Sequence, residues 1–229
     1  MKVYQVRIKM FLLKTIPYDE VQSSLAAFID QGLVKNNLKE VHYQNRYKYY
    51  SFDGLYPLEG NRTYEEGKIY TFTIRTVDQE LALFFSDTLT QFANNTYKAL
   101  TSEVRIITKK HIAKIFSITP CVLKDQAGYW KDHMTLEEFE ERIKVNLIKK
   151  RNKLDGTKMD EDFQLFTTIA LKNKVPISIK FKGIKLLGDK IEATVSDHPL
   201  AQELAYMALG CGISENNARG CGFVNFRYL

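Results

Sequence analysis

The first half of the chain alternates between the hydrophobic patterns of strands and of helices. Apolar and polar residues alternate in two segments, and a third segment is a short aromatic run (YKYYSF); these patterns predict β-strands. Apolar residues instead recur at helical spacing after Pro17 and after Asp78, two residues that favour helix N-termini. The predicted strands cover residues 3–13, 47–52 and 68–77, and a fourth begins near Glu103. Their order, β-α-β-β-α-β, is the ferredoxin-like pattern.

The second half repeats this order in a distorted form. Pro120 interrupts its first strand, and Thr135 opens a capping box (TLEE) at the start of a helix. The predicted elements are a strand over 112–124, a helix over 135–150, strands over 163–172, 175–187 and 190–196 with a turn at Gly188–Asp189, a helix over 198–208 that begins at His198, and a last strand from Phe223 to Tyr228. We therefore predict an α+β protein of two tandem ferredoxin-like (βαββαβ) domains, residues 1–110 and 111–229, with a C-terminal glycine-rich loop.

Composition is that of an ordinary globular chain. Of the 229 residues, 45% are hydrophobic and 26% are charged, which is typical of soluble domains. The chain contains no run of about 18 apolar residues, the length needed to span a membrane. Arg7 and Lys9 interrupt the apolar segment that a signal peptide would need. Three cysteines are too few for a disulfide framework. We expect a cytoplasmic protein with no membrane partner.

Positive charge concentrates in the second half. The first 104 residues contain 12 basic and 12 acidic residues, whereas the remainder contains 21 and 15 and carries the whole net charge of +6. Basic residues cluster over 142–158 and 172–190, and the first cluster includes Lys149, Lys150 and Arg151. Such clusters attract phosphate-rich partners such as nucleic acids. They also occur on ordinary solvated surfaces, so both interpretations stay open.

A glycine-rich stretch precedes the last strand. It reads Gly210-Cys211-Gly212, then seven residues, then Gly220-Cys221-Gly222. Glycine permits positive φ and close backbone approach, and amides of such loops can bind phosphate oxygens. The stretch is neither a Walker loop nor a dinucleotide fingerprint, and the alternative is a loop packed beneath another element. Cys211 and Cys221 lack the spacing of metal ligands, so we predict no metal and no cofactor.

One of the four histidines, His42, lies directly after the predicted first helix. Tyr43, Arg46 and Lys48 follow within six residues. An imidazole exchanges protons near neutral pH, and nearby cations can stabilise charge that develops on a phosphate. These are the requirements of metal-free RNA cleavage. Without further information, an ordinary surface histidine is the simpler interpretation.

With its loop GCG-ISENNAR-GCGF and the segment SITPCV at 117–122, the chain resembles the RAMP superfamily of CRISPR systems. Within it, the chain is similar to the CRISPR-associated endoribonucleases that process precursor RNA into guide RNAs. The insert between the glycine motifs is about two residues longer than in that family. A tyrosine that some members carry on the first helix is replaced here by Phe28, and Tyr43 is a candidate substitute.

The resemblance implies metal-independent cleavage of precursor RNA within CRISPR repeats. The 2′-hydroxyl would attack the adjacent phosphodiester and leave a 2′,3′-cyclic phosphate and a 5′-hydroxyl, with His42 as general base or acid and Arg46 and Lys48 stabilising the phosphate. The implied RNA-binding residues are Tyr43, Lys149, Lys150, Arg151, Gly210, Gly212, Arg219, Gly220 and Gly222. The implied partners are CRISPR repeat RNA and other CRISPR effector subunits; the oligomeric state, including a homodimer, stays open.

Three alternatives remain at this point. A non-catalytic RAMP subunit that binds guide RNA would share the fold and the loop without needing the histidine. An RRM-type module would need the K/R-G-F/Y-G/A-F pattern, which YKYYSF lacks. A metabolic enzyme on the same fold would be expected to show a cofactor fingerprint, and the sequence has none.

Overall fold

The structure is a computed structural model that describes residues 1–36, 47–123, 125–181 and 183–229. In its N-terminal half, four strands form an antiparallel sheet in the order β3-β5-β1-β6, which is the ferredoxin-like order. The elements are β1 (Val3–Leu12), β2 (Ile16–Pro17), α1 (Val21–Lys35), β3 (Tyr50–Phe52), β4 (Thr63–Tyr64), β5 (Ile69–Thr76), α2 (Gln79–Leu83) and β6 (Tyr97–Ile107). The two-residue strands β2 and β4 pair with each other.

The alternation read along β1 sorts its side chains as predicted. Val6, Ile8 and Met10 are fully buried, whereas Arg7 and Lys9 are exposed on the other face. Each buried side chain adds about 1.5–3 kcal/mol of hydrophobic stabilisation. The pattern therefore defines both the strand and the face on which α1 packs.

The strand predicted to begin near Glu103 in fact begins at Tyr97. Its pairing with β1 shifts register between Ile8 and Met10, as a β-bulge does. Leu100 and Thr101, next to this shift, are both exposed. The break in alternation hid the first half of the strand from the sequence pattern.

The C-terminal half contains a second sheet with the equivalent strand order, β12-β7-β11-β8. Its elements are β7 (Ile112–Ser117), α3 (Leu136–Asp155), β8 (Phe166–Leu171), β9 (Ile177–Phe181), β10 (Ile184–Gly188), β11 (Ile191–Val195), α4 (Pro199–Cys211) and β12 (Val224–Tyr228). Thr135 and Glu138 form the predicted capping box at the start of α3. That helix runs beyond residue 150 and ends at Gly156, which takes a left-handed conformation (φ +70°).

The single strand predicted over 175–187 is wrong. Residues Ile177–Phe181 and Ile184–Gly188 instead form a separate two-stranded hairpin. Gly183, which has φ +81°, lies at the reversal. The turn predicted at Gly188–Asp189 falls where Asp189 exchanges two backbone hydrogen bonds with Cys121 (2.8 and 3.1 Å). In the sequence, Gly183 was the signal for the turn between β9 and β10.

Arg75 joins the two halves of the molecule. Its guanidinium is buried and donates to Gln5 Oε1 (2.8 Å), to the Val224 carbonyl (2.7 Å) and to Asn225 Oδ1 (2.8 Å). It also stacks over the Phe223 ring, 4.5 Å from the centroid. Burial lowers the pKa of Arg75 to about 10. Through these three hydrogen bonds, Arg75 holds the N-terminal sheet against the start of β12.

Candidate functional site

The glycine-rich loop, residues 212–223, connects α4 to β12 and folds tightly on itself. Gly212 (φ +74°) and Gly222 (φ +65°) have conformations that other residues rarely adopt. A Cβ on Gly222 would lie 2.0 Å from the Ile213 carbonyl oxygen, and one on Gly212 would lie 2.5 Å from Asn217 Nδ2. These two glycines are therefore required by the internal packing of the loop.

The other two glycines of the motif allow the domains to approach closely. A Cβ on Gly210 would lie 2.7 Å from Val77 Cγ1, and one on Gly220 (φ +82°) would lie 2.3 Å from Gln22 Oε1. Ser51 Oγ also donates to the Gly210 carbonyl (3.2 Å). The loop and α4 are therefore packed against β3, β5 and α1 of the first domain.

All four glycines were expected to contact RNA through their amides, and the structure does not favour this. All four are buried. The Gly212 amide donates to the Ala208 carbonyl (2.8 Å), and the Gly220 and Gly222 amides donate to other carbonyls at 2.9 and 2.8 Å. Gly210 lies within α4. The glycines shape the loop, and a phosphate would have to contact other groups.

Lys150 stabilises the glycine-rich loop from the interior of the protein. Its side chain projects from α3, is 3% exposed, and donates to the Gly212 carbonyl (3.1 Å), the Ser214 carbonyl (2.9 Å) and Asn217 Oδ1 (2.7 Å). Burial lowers the pKa of its ammonium group. Because these three oxygens take up its donors, Lys150 is a structural residue of the loop and not the exposed RNA-binding cation that the sequence suggested.

Asn217 completes the network inside the loop. While its Oδ1 accepts from Lys150, its Nδ2 donates to the Ile213 carbonyl (2.8 Å) and to the Cys221 carbonyl (3.0 Å). One amide side chain thus bridges both arms of the loop. Sequence analysis missed this residue, which is one polar residue among several in the insert.

The neighbouring predicted RNA-binding cations differ in their surroundings. Lys149 is exposed. Arg151 is ion-paired with Asp155 and, at 3.1 Å, with Glu203, and Arg219 donates to Asn216 Oδ1 at 3.0 Å. Lys149 is therefore the member of this group whose charge is most accessible to a phosphate.

His42, Tyr43 and Arg46 lie outside the described residues. Lys48 is among the described residues, and its Nζ lies 3.7 Å from Asp30 Oδ1 on α1. The next residue, Tyr49, donates from its hydroxyl to the Lys150 carbonyl (3.3 Å). Tyr49 therefore lies against α3, the helix whose lysine holds the glycine-rich loop, whereas Lys48 contacts α1.

Tyr47 and Tyr49 form an aromatic pair at this place, with ring centroids 6.2 Å apart. Burial, and then the Glu215 carboxylate of the loop, raise the pKa of Tyr47; burial raises the pKa of Tyr49 to about 12. Both hydroxyls are therefore protonated at neutral pH, and that of Tyr49 donates its proton to the Lys150 carbonyl. We call Lys48, Tyr47, Tyr49 and the glycine-rich loop the loop site.

The three described histidines have local partners elsewhere. His198 Nδ1 accepts from the Leu200 amide (3.3 Å) and caps α4, as its place before Pro199 suggested. His111 Nε2 lies 3.0 Å from Asp197 Oδ1, and His133 Nε2 lies 3.5 Å from Asp125 Oδ2. None of these contacts involves the loop site.

The cysteines of the glycine motif are buried free thiols. Burial raises the pKa of Cys221 to about 12 and also raises that of Cys211. A protonated, inaccessible thiol is neither a good nucleophile nor a good metal ligand. Within the described ranges, no cluster of three or more His, Cys, Asp or Glu residues could hold a metal ion.

Cations that the sequence analysis did not assign to RNA binding lie on the outward faces of the two sheets. Arg7 and Lys9 are exposed on β1 and Arg105 on β6. In the second sheet, Arg227 is paired across strands with Lys114. Only strand pairing brings these last two residues together, because they are far apart in the sequence. Each sheet thus has cations on its outer face, where Arg7 also contacts Glu103 and Lys114 contacts Glu192.

A cleft of about 270 Å³ lies between the domains on the side of the hairpin β9–β10. Asp19, Asp53 and Lys190 contribute its charged groups. Ile118 and Ile179 contribute apolar walls. Asp53 Oδ1 accepts from the Thr73 amide at 2.6 Å, and burial raises the pKa of this carboxyl to about 7. Asp53 therefore titrates near neutral pH, well above an ordinary aspartate.

Two ferredoxin-like sheets in tandem, with a glycine-rich loop before the last strand, define the class of this molecule: it is a RAMP-superfamily protein. A family model described as "CRISPR associated protein Cas6, C-terminal" matches residues 101–226, which is more than half of the chain. The protein belongs to the Cas6 family of CRISPR-associated proteins. This confirms the predicted family and the predicted fold class.

Solved structures share the fold at low sequence identity. One described as "CRISPR associated protein Cas6" has 19% identity and a TM-score of 0.70, with 98% of this chain and 99% of that chain covered. An RAMP protein described as binding different RNA substrates has 15% identity, a TM-score of 0.71 and the same coverage. A Cas6-related protein from Pyrococcus furiosus has 17% identity, a TM-score of 0.69 and 98% of both chains covered. No curated protein sequence matches the chain.

In the part of the chain that the structure describes, no helix is both long and apolar enough to cross a lipid bilayer.

Proposed function

We propose that this protein is a metal-independent endoribonuclease that cuts CRISPR precursor RNA once within each repeat. The observation that carries the proposal is the match to the Cas6 family model over residues 101–226. The loop site supports it, because Tyr47 and Tyr49 lie near the glycine-rich loop and Lys48, between them in the sequence, contacts Asp30 on α1. An RNA strand that followed this surface would meet the Lys48 ammonium group and the paired rings of Tyr47 and Tyr49.

In the proposed reaction, the 2′-oxygen attacks the adjacent phosphorus and the 5′-oxygen leaves with a proton. His42 is the general base or the general acid, because an imidazole exchanges protons near neutral pH. Arg46 and Lys48 stabilise the additional negative charge on the phosphate. To take this role, Lys48 exchanges its contact with Asp30 (3.7 Å) for a phosphate oxygen.

The RNA backbone is held by surface cations of both domains. Lys149 is an exposed member of the basic cluster over 142–158, and Arg7, Lys9 and Arg227 add positive charge on the two sheets. Tyr43 and Arg219 are proposed to contact RNA near the loop. The four glycines and Lys150 contribute indirectly, because they determine the shape of the loop.

The test is single-turnover cleavage of repeat RNA by purified protein. We expect His42→Ala to slow cleavage about 10²–10⁴-fold, the usual contribution of a general acid or base, with RNA affinity unchanged. His111→Ala is the matched control, because His111 contacts Asp197 and not the loop site. Wild-type activity should survive EDTA and give cyclic-phosphate ends. Normal cleavage by His42→Ala would show that another group does the chemistry, and loss of activity in chelator would contradict metal independence.

A non-catalytic RNA-binding RAMP subunit is the second candidate. It is favoured by Phe28, which stands where some family members have a tyrosine: Phe28 is fully buried between Phe92 and Tyr97 and offers no hydroxyl to a substrate. Such a protein would bind the repeat RNA in the same assay and leave it intact. Cleavage by the pure protein separates the two functions.

A further inference from the structure

The last strand of the N-terminal sheet, β6, is an edge strand with an unusual exposed apolar side. Within the described ranges it pairs with β1 and with no other strand, apart from a single bridge near its start. Val104 and Ile106 lie opposite Val6 and Tyr4, on the face of the sheet that is elsewhere buried in the core. They are nevertheless 48% and 51% exposed.

The helical segment that begins with α2 and continues through residue 91 leaves this side of β6 uncovered. Tyr4 donates to Gln79 Oε1 at the start of α2 (3.4 Å), and Ser102 donates to the Ser86 carbonyl after its end (2.9 Å). The helix therefore runs alongside this part of β6, and Leu83 lies between the two contacts and is 55% exposed. The exposed apolar strip consists of Leu83, Val104 and Ile106.

An edge strand with free backbone groups and an apolar side is suited to pairing with another strand. We propose that β6 pairs antiparallel with β6 of a second copy of this chain, with the two-fold axis at Val104. The two N-terminal sheets would then form one continuous eight-stranded sheet. The apolar strips of the two copies would cover each other on the helical side.

Charge determines both the partner and the register. Residues that lie opposite each other in an antiparallel pair point to the same face, so the axis must pass through a residue. An axis at Val104 places Glu103 opposite Arg105 of the other copy, and this pair occurs twice. An axis at Glu103 would oppose two carboxylates, and one at Arg105 would oppose two guanidinium groups. Of these three registers, only the one with its axis at Val104 pairs opposite charges.

The test is analytical ultracentrifugation of the full chain without RNA, over a concentration series. The wild-type protein should dimerise. Glu103→Arg alone and Arg105→Glu alone should each weaken dimerisation about tenfold or more, because both cross-strand pairs become like-charged. An equimolar mixture of the two variants should dimerise again, since every Arg then faces a Glu. The double variant Glu103→Arg with Arg105→Glu should dimerise as the wild type does.

The double variant is also the control for folding. It loses the intramolecular contact of Glu103 with Arg7 (3.9 Å) just as Glu103→Arg does, and both substituted side chains are exposed. In addition, Val104→Cys should form an intermolecular disulfide, because the introduced thiol of each copy would face its counterpart, whereas the three native cysteines are buried.

A wild-type protein that stays monomeric, a dimer that resists both single charge reversals, or a mixture that fails to restore dimerisation would each overturn the proposal. Because RNA is absent from every arm, these outcomes are independent of the cleavage assay.

Discussion

Replacing Lys150 with methionine is the sharpest test of how the glycine-rich loop is built. Methionine fills a similar volume but cannot donate to the three oxygens that Lys150 contacts at 2.7–3.1 Å. Each buried acceptor left without a donor costs about 1–3 kcal/mol. Removing a buried charge also recovers part of its desolvation penalty. We therefore expect a net loss of about 3 kcal/mol in the free energy of unfolding.

Such a loss is a substantial fraction of the roughly 5–15 kcal/mol that typically stabilises a folded protein. For a chain of this length, it corresponds to a drop of about 6–12 °C in melting temperature. Amide hydrogen exchange should also become faster across residues 212–223, because the loop loses its central contact. Circular dichroism on heating and exchange measured by mass spectrometry test both effects.

Lys149→Met is the matched control. Lys149 precedes Lys150 in α3 but is exposed, so its substitution should leave the melting temperature within about 1 °C of the wild-type value. RNA affinity should instead fall and depend less on salt, as expected for the loss of a phosphate contact. Equal melting temperatures for Lys150→Met and the wild type, with unchanged loop exchange, would refute the inferred role of the buried ammonium.

Two further predictions concern glycine and pH. Gly222→Ala should destabilise the protein by about 2–4 kcal/mol in urea unfolding. The reason is that the φ of residue 222 is +65° and the added Cβ would lie 2.0 Å from a carbonyl oxygen. The control variant Gly60→Ala has open space around it and should be neutral. Equal stability of the two variants would contradict this packing. Asp53 has a pKa of about 7 in the folded protein, against an ordinary value of 3.8. Because the folded state binds this proton more tightly than the unfolded state, the free energy of unfolding should fall as pH rises from about 4 to 7. Asp53→Asn should remove about 2–4 kcal/mol of this pH dependence, and an unchanged difference between pH 4 and pH 8 would contradict it.

The position of Lys150 shows what helical periodicity could have revealed. The buried stripe of α3 runs through Phe139, Ile143 and Leu147, and the next inward position at helical spacing is residue 150. Lys149 and Lys150 have the same side chain, but only one lies on the buried face. The composition of the cluster suggested a phosphate-binding surface, whereas the periodicity placed one of its members in the core.

The glycine motif shows a different limit. Four glycines on this spacing indicated unusual backbone conformations, and the positive φ values of Gly212, Gly220 and Gly222 agree. Their purpose depends on neighbours that are distant in sequence, such as Val77 and Gln22. For that reason the sequence left open whether the loop binds a ligand or packs beneath another element.

The hairpin β9–β10 and the first half of β6 were not predicted. The ferredoxin-like order within each half, the buried face of β1, the caps of α3 and α4 and the family resemblance all followed from the sequence alone. These features depend on local periodicity, on residues within one helical turn, or on a motif read in order. Only the tertiary structure decided that Arg75 joins the two domains, that Lys150 holds the loop and that β6 is an exposed edge. Each of these depends on contacts between segments that folding brings together from distant positions, and such contacts leave no periodic signal in the chain.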